Sequence, residues 1–119
     1  MSQIAVSFYL SNYRIHIYRD VLREIGSPQR ICIMIDKSGD TLLIAPYTVR
    51  DFKSHKVPAS IYDGNSKMEI SSYKLCKIIT GLHNWDPSVS YRVPGSIATE
   101  QNVAVFHLKE ASVIHSSEV

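Results

Sequence analysis

The chain is poor in the features that announce most biochemical functions. Only two cysteines occur in 119 residues, Cys32 and Cys76, each inside an apolar segment. Two isolated thiols make neither a disulfide framework nor a four-ligand zinc centre, and they read as small buried residues in a reducing compartment. The five histidines (His16, His55, His83, His107 and His115) are scattered without metal-ligand spacing. No apolar run approaches the roughly 18 residues that a membrane helix needs. The N-terminus MSQIAVSFYLSNYR lacks the basic, apolar and small-residue order of a signal peptide. A soluble, cytoplasmic protein with no membrane partner is expected. Phosphate-loop, nucleophile-elbow and dinucleotide-fingerprint motifs are absent, as are paired acids at a clear catalytic spacing. No enzyme activity, metal or cofactor is therefore expected.

Charge of either sign is also scarce. The formal net charge is +2. Residues 1–60 hold eight Lys/Arg against five acids, whereas residues 61–119 hold five against six. This bias permits a phosphate-binding face in the first half but falls short of a strongly basic nucleic-acid-binding domain.

Hydrophobic patterning is plentiful. Apolar residues make up 45% of the chain, enough for one domain with one modest core. Ile4, Val6, Phe8 and Leu10 alternate with polar or small residues, the period of a half-buried strand. After a Ser11-Asn12 turn, Arg14 to Tyr18 alternates again, with Ile15 and Ile17 on one side and Arg14, His16 and Tyr18 on the other. Val21, Leu22 and Ile25 then change to helical spacing, and Gly26 and Pro28 stop a helix over about 19–26. RICIMID and TLLIAPY flank Lys37-Ser38-Gly39-Asp40, a hairpin signal. Residues 48–66 read as a connector, with a short strand at Ile61-Tyr62.

The order then recurs. KMEIS is strand-like, and Ser71 or Ser72 caps a helix over about 72–80, with Leu75, Ile78 and Ile79 on its apolar face and Gly81 at its end. YRVPG and NVAVFHL form a second pair of strands, and the tail EASVIHSSEV is expected to fray. A shift of 53 residues lays Arg14-Ile15-His16-Ile17 over Lys67-Met68-Glu69-Ile70, Leu22 over Leu75 and Ile25 over Ile78. The expected fold class is α+β and strand-rich, a single domain of two tandem β-α-β-β halves, about 1–47 and 67–110. The expected core is Ile15, Ile17, Val21, Ile25, Ile33, Ile35, Leu43, Leu75, Ile78, Val103, Val105 and Phe106.

The segment YRIHIYRDVLREIGSPQRICIMIDKSGDTLLIAPY resembles the DNA-binding domain of the AbrB/SpoVT transition-state regulators, related in fold to MazE-type antitoxins. That pattern runs from an Arg-led strand, through a short helix ending in an Arg and a closing Gly, to a hairpin of β-branched strands. Arg14, Ile15, Ile17, Arg23 and Gly26 fall on it without a gap. Tyr13 stands where the family has Gly, Tyr18 where it has Pro, and Leu22 where it has a second helix arginine. Family members pair two such units from two chains into a swapped-hairpin barrel. The resemblance implies that the second half here plays the partner's part, giving a pseudo-twofold barrel in one chain, either as a monomer or as a homodimer.

The resemblance also implies that Arg14, Arg19 and Arg23 contact duplex DNA, with Lys74 and Lys77 extending the patch, in a transcriptional regulator. The bland alternative is that Arg19 and Arg23 are solvated beside Asp20 and Glu24. A different function class, an interaction module such as an antitoxin-like or accessory protein, is suggested by the near-neutral charge and by Tyr9, Tyr13 and Tyr18. His16 has no acid beside it in sequence and reads as a surface residue. Trp85 is either an interaction anchor or a cover for the core.

Overall fold

The computed structural model describes residues 4–48 and 54–114. They form nine strands and two α-helices in the order β1 (Ile4–Tyr9), β2 (Arg14–Tyr18), α1 (Arg19–Glu24), β3 (Arg30–Ile35), β4 (Thr41–Pro46), β5 (Ser54–Lys56), β6 (Lys67–Ser71), α2 (Tyr73–His83), β7 (Ser90–Ala98), β8 (Val103–His107) and β9 (Ser112–Ile114). All pairings are antiparallel, in the spatial order β5-β3-β4-β8-β7-β1-β2-β6, with β9 on a free stretch of β7. The sheet curls into a half barrel. No helix among the described residues is long and apolar enough to cross a membrane.

The inner face of the curl is the core. Val6, Phe8, Ile15, Ile17, Ile31, Leu42, Ile44, Val93, Ala104 and Phe106 are sealed from solvent there. Cross-strand register explains the set. Ile33 faces Ile44, Ile35 faces Leu42, and Leu42 faces Phe106, so these residues share one side of the sheet. Both helices close over that side. Val21 and Leu22 of α1 and Cys76 and Ile79 of α2 are buried in the same cluster. Trp85 caps it, edge-on to Phe8 at 5.5 Å and stacked on Tyr91 at 4.4 Å between ring centroids. Its role in the fold is therefore to cover the core.

Several expectations need correction. Leu43 pairs with Met34 and Val105 on the outer face, so Leu43, Val103 and Val105 are only half-buried. The TLLIAP strand is apolar on both sides, so its sequence carries no alternation to fix its parity. Ile78 is 42% exposed. The apolar arc of α2 is broader than its contact, and the sheet takes the edge carrying Cys76 and Ile79. Gly81 does not end the helix. Asn84 does, in the left-handed conformation with φ 57°. Ile61-Tyr62 is not a strand but part of a 3-10 turn, Ala59–Tyr62, with Ile61 buried and the Tyr62 hydroxyl donating to the Pro28 carbonyl at 2.8 Å. Residues 112–114 of the tail expected to fray pair with Ser90, Tyr91 and Arg92 as β9, and its remaining residues, 115–119, lie outside the described residues.

Strand β7 holds the two halves of the sheet together. One edge pairs with β1 from Ser90 to Gly95, while the other meets β9 through Arg92 and β8 from Gly95 onward. Val93 and Pro94 fall in the gap between β9 and β8 on that edge, while both remain opposite β1. Gly95 sits against Phe106, and a Cβ there would lie 2.4 Å from the Val105 carbonyl oxygen and 2.5 Å from Phe106 Cδ1. The tip of the β3–β4 turn is clamped by α2. Leu82 lies over Gly39 (φ +79°), and His83 Nε2 bonds the Gly39 carbonyl at 2.7 Å.

Candidate nucleic-acid interface

The alternation that sends Ile15 and Ile17 inward sends Arg14, His16 and Tyr18 outward, as expected from the sequence. The ladders then extend this outer row across four strands. Opposite Tyr18, His16 and Arg14 stand Lys67, Glu69 and Ser71 of β6. On the other side stand Ser7 and Tyr9 of β1, and Ser7 faces Arg92 of β7. Residues from 7 to 92 in the sequence thus meet on one surface.

Their contacts form a connected polar cluster. Arg14 and Glu69 are ion-paired, and the other Glu69 oxygen lies 3.1 Å from His16 Nε2. The His16 ring rests on the Tyr9 ring at 4.5 Å. The hydroxyls of Ser7 and Tyr18 are 2.8 Å apart, and the Arg92 guanidinium stands 5.9 Å from the Tyr18 ring centroid. Ser7 is fully buried although it belongs to the outer face, because these larger side chains lie over it. Burial is the main reason that the His16 imidazole is held below its ordinary pKa, with Lys67 and Arg14 adding to the effect. Burial first, then the neighbouring Tyr18, pushes the Tyr9 hydroxyl up.

The five basic residues singled out in the sequence do not share one place. Arg14 and Arg19 stand at opposite ends of β2, roughly 16 Å apart along the chain at about 3.3 Å per residue. Arg14 is in the outer-face cluster. Arg19 is at its rim, where its backbone N–H donates to the Ser66 carbonyl at 2.8 Å and one Nη donates to the Asn65 carbonyl at 3.4 Å. Arg23 is exposed one turn further along α1. Lys74 and Lys77 are exposed on α2, whose buried side covers the inner face, and Lys77 lies over the Tyr73 ring at 5.8 Å.

Arg92 of the outer face was not among the sequence candidates for binding, nor was Ser7, whereas Lys67 and Glu69 stand out in sequence only through the 53-residue shift, as second-half counterparts of Arg14 and His16. A signal for Glu69 existed, because the 53-residue shift places it on His16, and the β2–β6 ladder pairs those two residues directly. For Arg92 no local signal exists, since its place depends on β7 lying beside β1. The thiol of Cys76 is buried and pushed up to about 11, which leaves it unreactive as a nucleophile. No group of three metal-ligating side chains occurs among the described residues.

Comparison with family models, curated proteins and solved structures gives no match to this chain.

Proposed function

We propose that this protein binds duplex DNA through the outer face of β7-β1-β2-β6, as a small transcriptional regulator of the AbrB/SpoVT-like type. The observation that carries this reading is the composition of that face. Arg14, Arg19, Lys67 and Arg92 surround the rings of Tyr9, His16 and Tyr18, with Glu69 and Asp20 as the acids among them. Guanidinium and ammonium groups spread across a sheet surface suit phosphate contacts, and arginine adds bidentate reach to base edges.

The order of β2, α1, β3 and β4 supports the family resemblance. The β2–β6 ladder also supports the tandem reading. It is centred on His16 and Glu69, which are equivalent under the 53-residue shift, and the β3–β4 and β7–β8 hairpins meet through β4 and β8. One chain would then pair its halves as two protomers do in a swapped-hairpin dimer.

Titration of genomic fragments, including the protein's own promoter, by fluorescence anisotropy at two salt concentrations tests the reading. Four phosphate contacts give a log-log salt slope of about −3 to −4. Replacing Arg14 and Arg92 with Ala together weakens binding and flattens the slope by about 2 while Trp85 emission stays native. Absence of binding at low salt would sink the proposal.

A second reading, a protein-interaction module, is favoured by a different surface. Tyr73, Ile78 and Leu82 are 59%, 42% and 57% exposed on α2, an unusual display for side chains of that size. It predicts a stoichiometric protein complex that is lost in Ile78→Ser/Leu82→Ser, together with no DNA affinity.

A further inference from the structure

Helix α2, the turn Leu10–Asn12 and the loop around Trp85 border a cavity of about 380 Å³. That volume falls within the range of about 300–1,000 Å³ typical of small-molecule sites. The cavity lies at the β1–β2 turn, the opposite end of β2 from Lys67. Its floor is apolar, with Leu10 and Cys76 only 2% and 1% exposed. Trp85 forms a wall, and its ring is fixed by the edge-on contact to Phe8 and the stack on Tyr91.

Gly81 is the informative wall residue. It sits inside α2 on the face that also carries Lys77 and Thr80, one and four positions away. Glycine weakens a helix interior. Neither of the usual reasons for glycine applies here, because its φ is not positive and no atom lies within 4 Å of the position its Cβ would take. What glycine does at this position is leave the cavity open.

The polar groups define the occupant. Lys77 is the one charged side chain lining the cavity, and among the described residues it belongs to no ion pair. Its ammonium stands 5.8 Å from the Tyr73 ring centroid, and that ring meets Tyr13, on the cavity wall, at 4.7 Å. Asp86, beside Trp85, has its carboxylate engaged by the Ser88 N–H at 2.9 Å and the Ser88 hydroxyl at 2.7 Å. The Thr80 hydroxyl donates to the Cys76 and Lys77 carbonyls at 2.9 and 3.0 Å. One ammonium, with no guanidinium fork beside it, matches a single negative charge on an otherwise apolar molecule.

We propose that this cavity binds a small organic carboxylate with an aromatic or branched aliphatic body. The body lies between Trp85, Pro87 and the open face of α2 at Gly81, and the carboxylate meets the Lys77 ammonium. The site does not rest on the DNA reading above.

Trp85 is the only tryptophan in the chain, so its emission reports on the cavity directly. Phenylacetate and its neutral isostere phenylacetamide are titrated separately into the intact protein. Phenylacetate is expected to change Trp85 emission saturably and to bind about fivefold more tightly than phenylacetamide, the ratio that one charge contact near the surface gives. Lys77→Gln is expected to reduce phenylacetate affinity to that of phenylacetamide and to leave phenylacetamide binding unchanged. Gly81→Leu is expected to abolish the response to both probes while its urea midpoint stays at or above wild type, because leucine favours the helix. Gly81→Ala, which adds less bulk, is expected to weaken binding with the same rise in midpoint, and it carries the test if the leucine variant does not fold. No saturable response of the wild type to phenylacetate overturns the proposal. Equal affinity for the two probes also overturns it, since Lys77 is then no anchor. Wild-type binding in a folded Gly81→Leu overturns it by placing the ligand elsewhere.

Discussion

His16 and Glu69 face each other across the β2–β6 ladder, 3.1 Å apart between Nε2 and Oε1, and the same carboxylate holds Arg14. Glu69 is thus the internal competitor for the cation best placed on the outer face. Glu69→Gln keeps the shape of the side chain and removes its charge. On the proposed function, Arg14 is then released to phosphate, and affinity for duplex DNA at low salt rises about threefold to tenfold, since one charge-assisted contact near the surface is worth on the order of 1 kcal/mol. Anisotropy titration of the variant beside the wild type measures this. An affinity that falls would mean that Glu69 positions Arg14 for binding rather than withholding it.

Gly95 predicts a pair of opposite outcomes. Its Cβ position is occupied by the Val105 carbonyl oxygen and the Phe106 ring. Gly95→Ala must push β8 away or shift Phe106, at a cost of about 1–3 kcal/mol. Gly64 has nothing within 4 Å of its Cβ position, so Gly64→Ala should stay within about 0.5 kcal/mol of wild type. Urea unfolding followed by Trp85 emission compares the two, and equal midpoints would contradict the packing described for β7 and β8.

Helix α2 is held at both ends by local chemistry. The Ser72 hydroxyl accepts the Leu75 N–H at 3.2 Å, and Asn84 closes the helix in the left-handed region. Ser72→Ala is expected to cost about 0.5–2 kcal/mol. Asn84→Gly should be neutral or better, because glycine adopts that φ freely, whereas Asn84→Val should cost on the order of 1–2 kcal/mol. Because Gly81 sits inside the helix with nothing near its Cβ position, Gly81→Ala should stabilise by roughly 0.5–1 kcal/mol. A destabilised Gly81→Ala would place the helix end where the sequence alone suggested it.

Stability should fall in mild acid. The imidazoles of His16 and His55 are both held below their ordinary value of 6.5, in each case chiefly by burial, with Lys67 and Arg14 adding at His16 and Arg30 at His55. As pH falls through about 6.5 the unfolded chain takes up these protons before the folded one does, so the equilibrium moves toward unfolding. The contribution is fully present above 6.5 and declines until the folded imidazoles also protonate. Denaturation midpoints measured from about pH 7.5 to 5 should show this decline, and His55→Gln should lessen it.

Local sequence was informative where each element carries its own period. Ile15 and Ile17 went to the core and Arg14, His16 and Tyr18 to the outer face because a strand alternates. Val21, Leu22 and Ile25 were buried because a short helix with that spacing has one apolar side. The hairpin around Ser38 and Gly39 followed from turn chemistry, with Gly39 in the positive-φ region. In each case the determining interactions lie within a few residues of one another.

What the tertiary structure alone decided involves choices between partners far apart in the chain. TLLIAP is apolar on both sides, so only pairing with β8 turned Leu42 and Ile44 inward and Leu43 outward. The broad apolar arc of α2 left its rotation open until the sheet selected Cys76 and Ile79. Strand β9 exists because β7 outruns β8 and leaves Ser90–Arg92 unpaired on that edge. The outer-face cluster is the largest such decision. The 53-residue shift relates His16 to Glu69, but neither the sign nor the spacing of Ser7 and Arg92 in sequence brings them to that pair. The ladders of β1, β2, β6 and β7 do, because an antiparallel register converts positions tens of residues apart into neighbours about 5 Å apart.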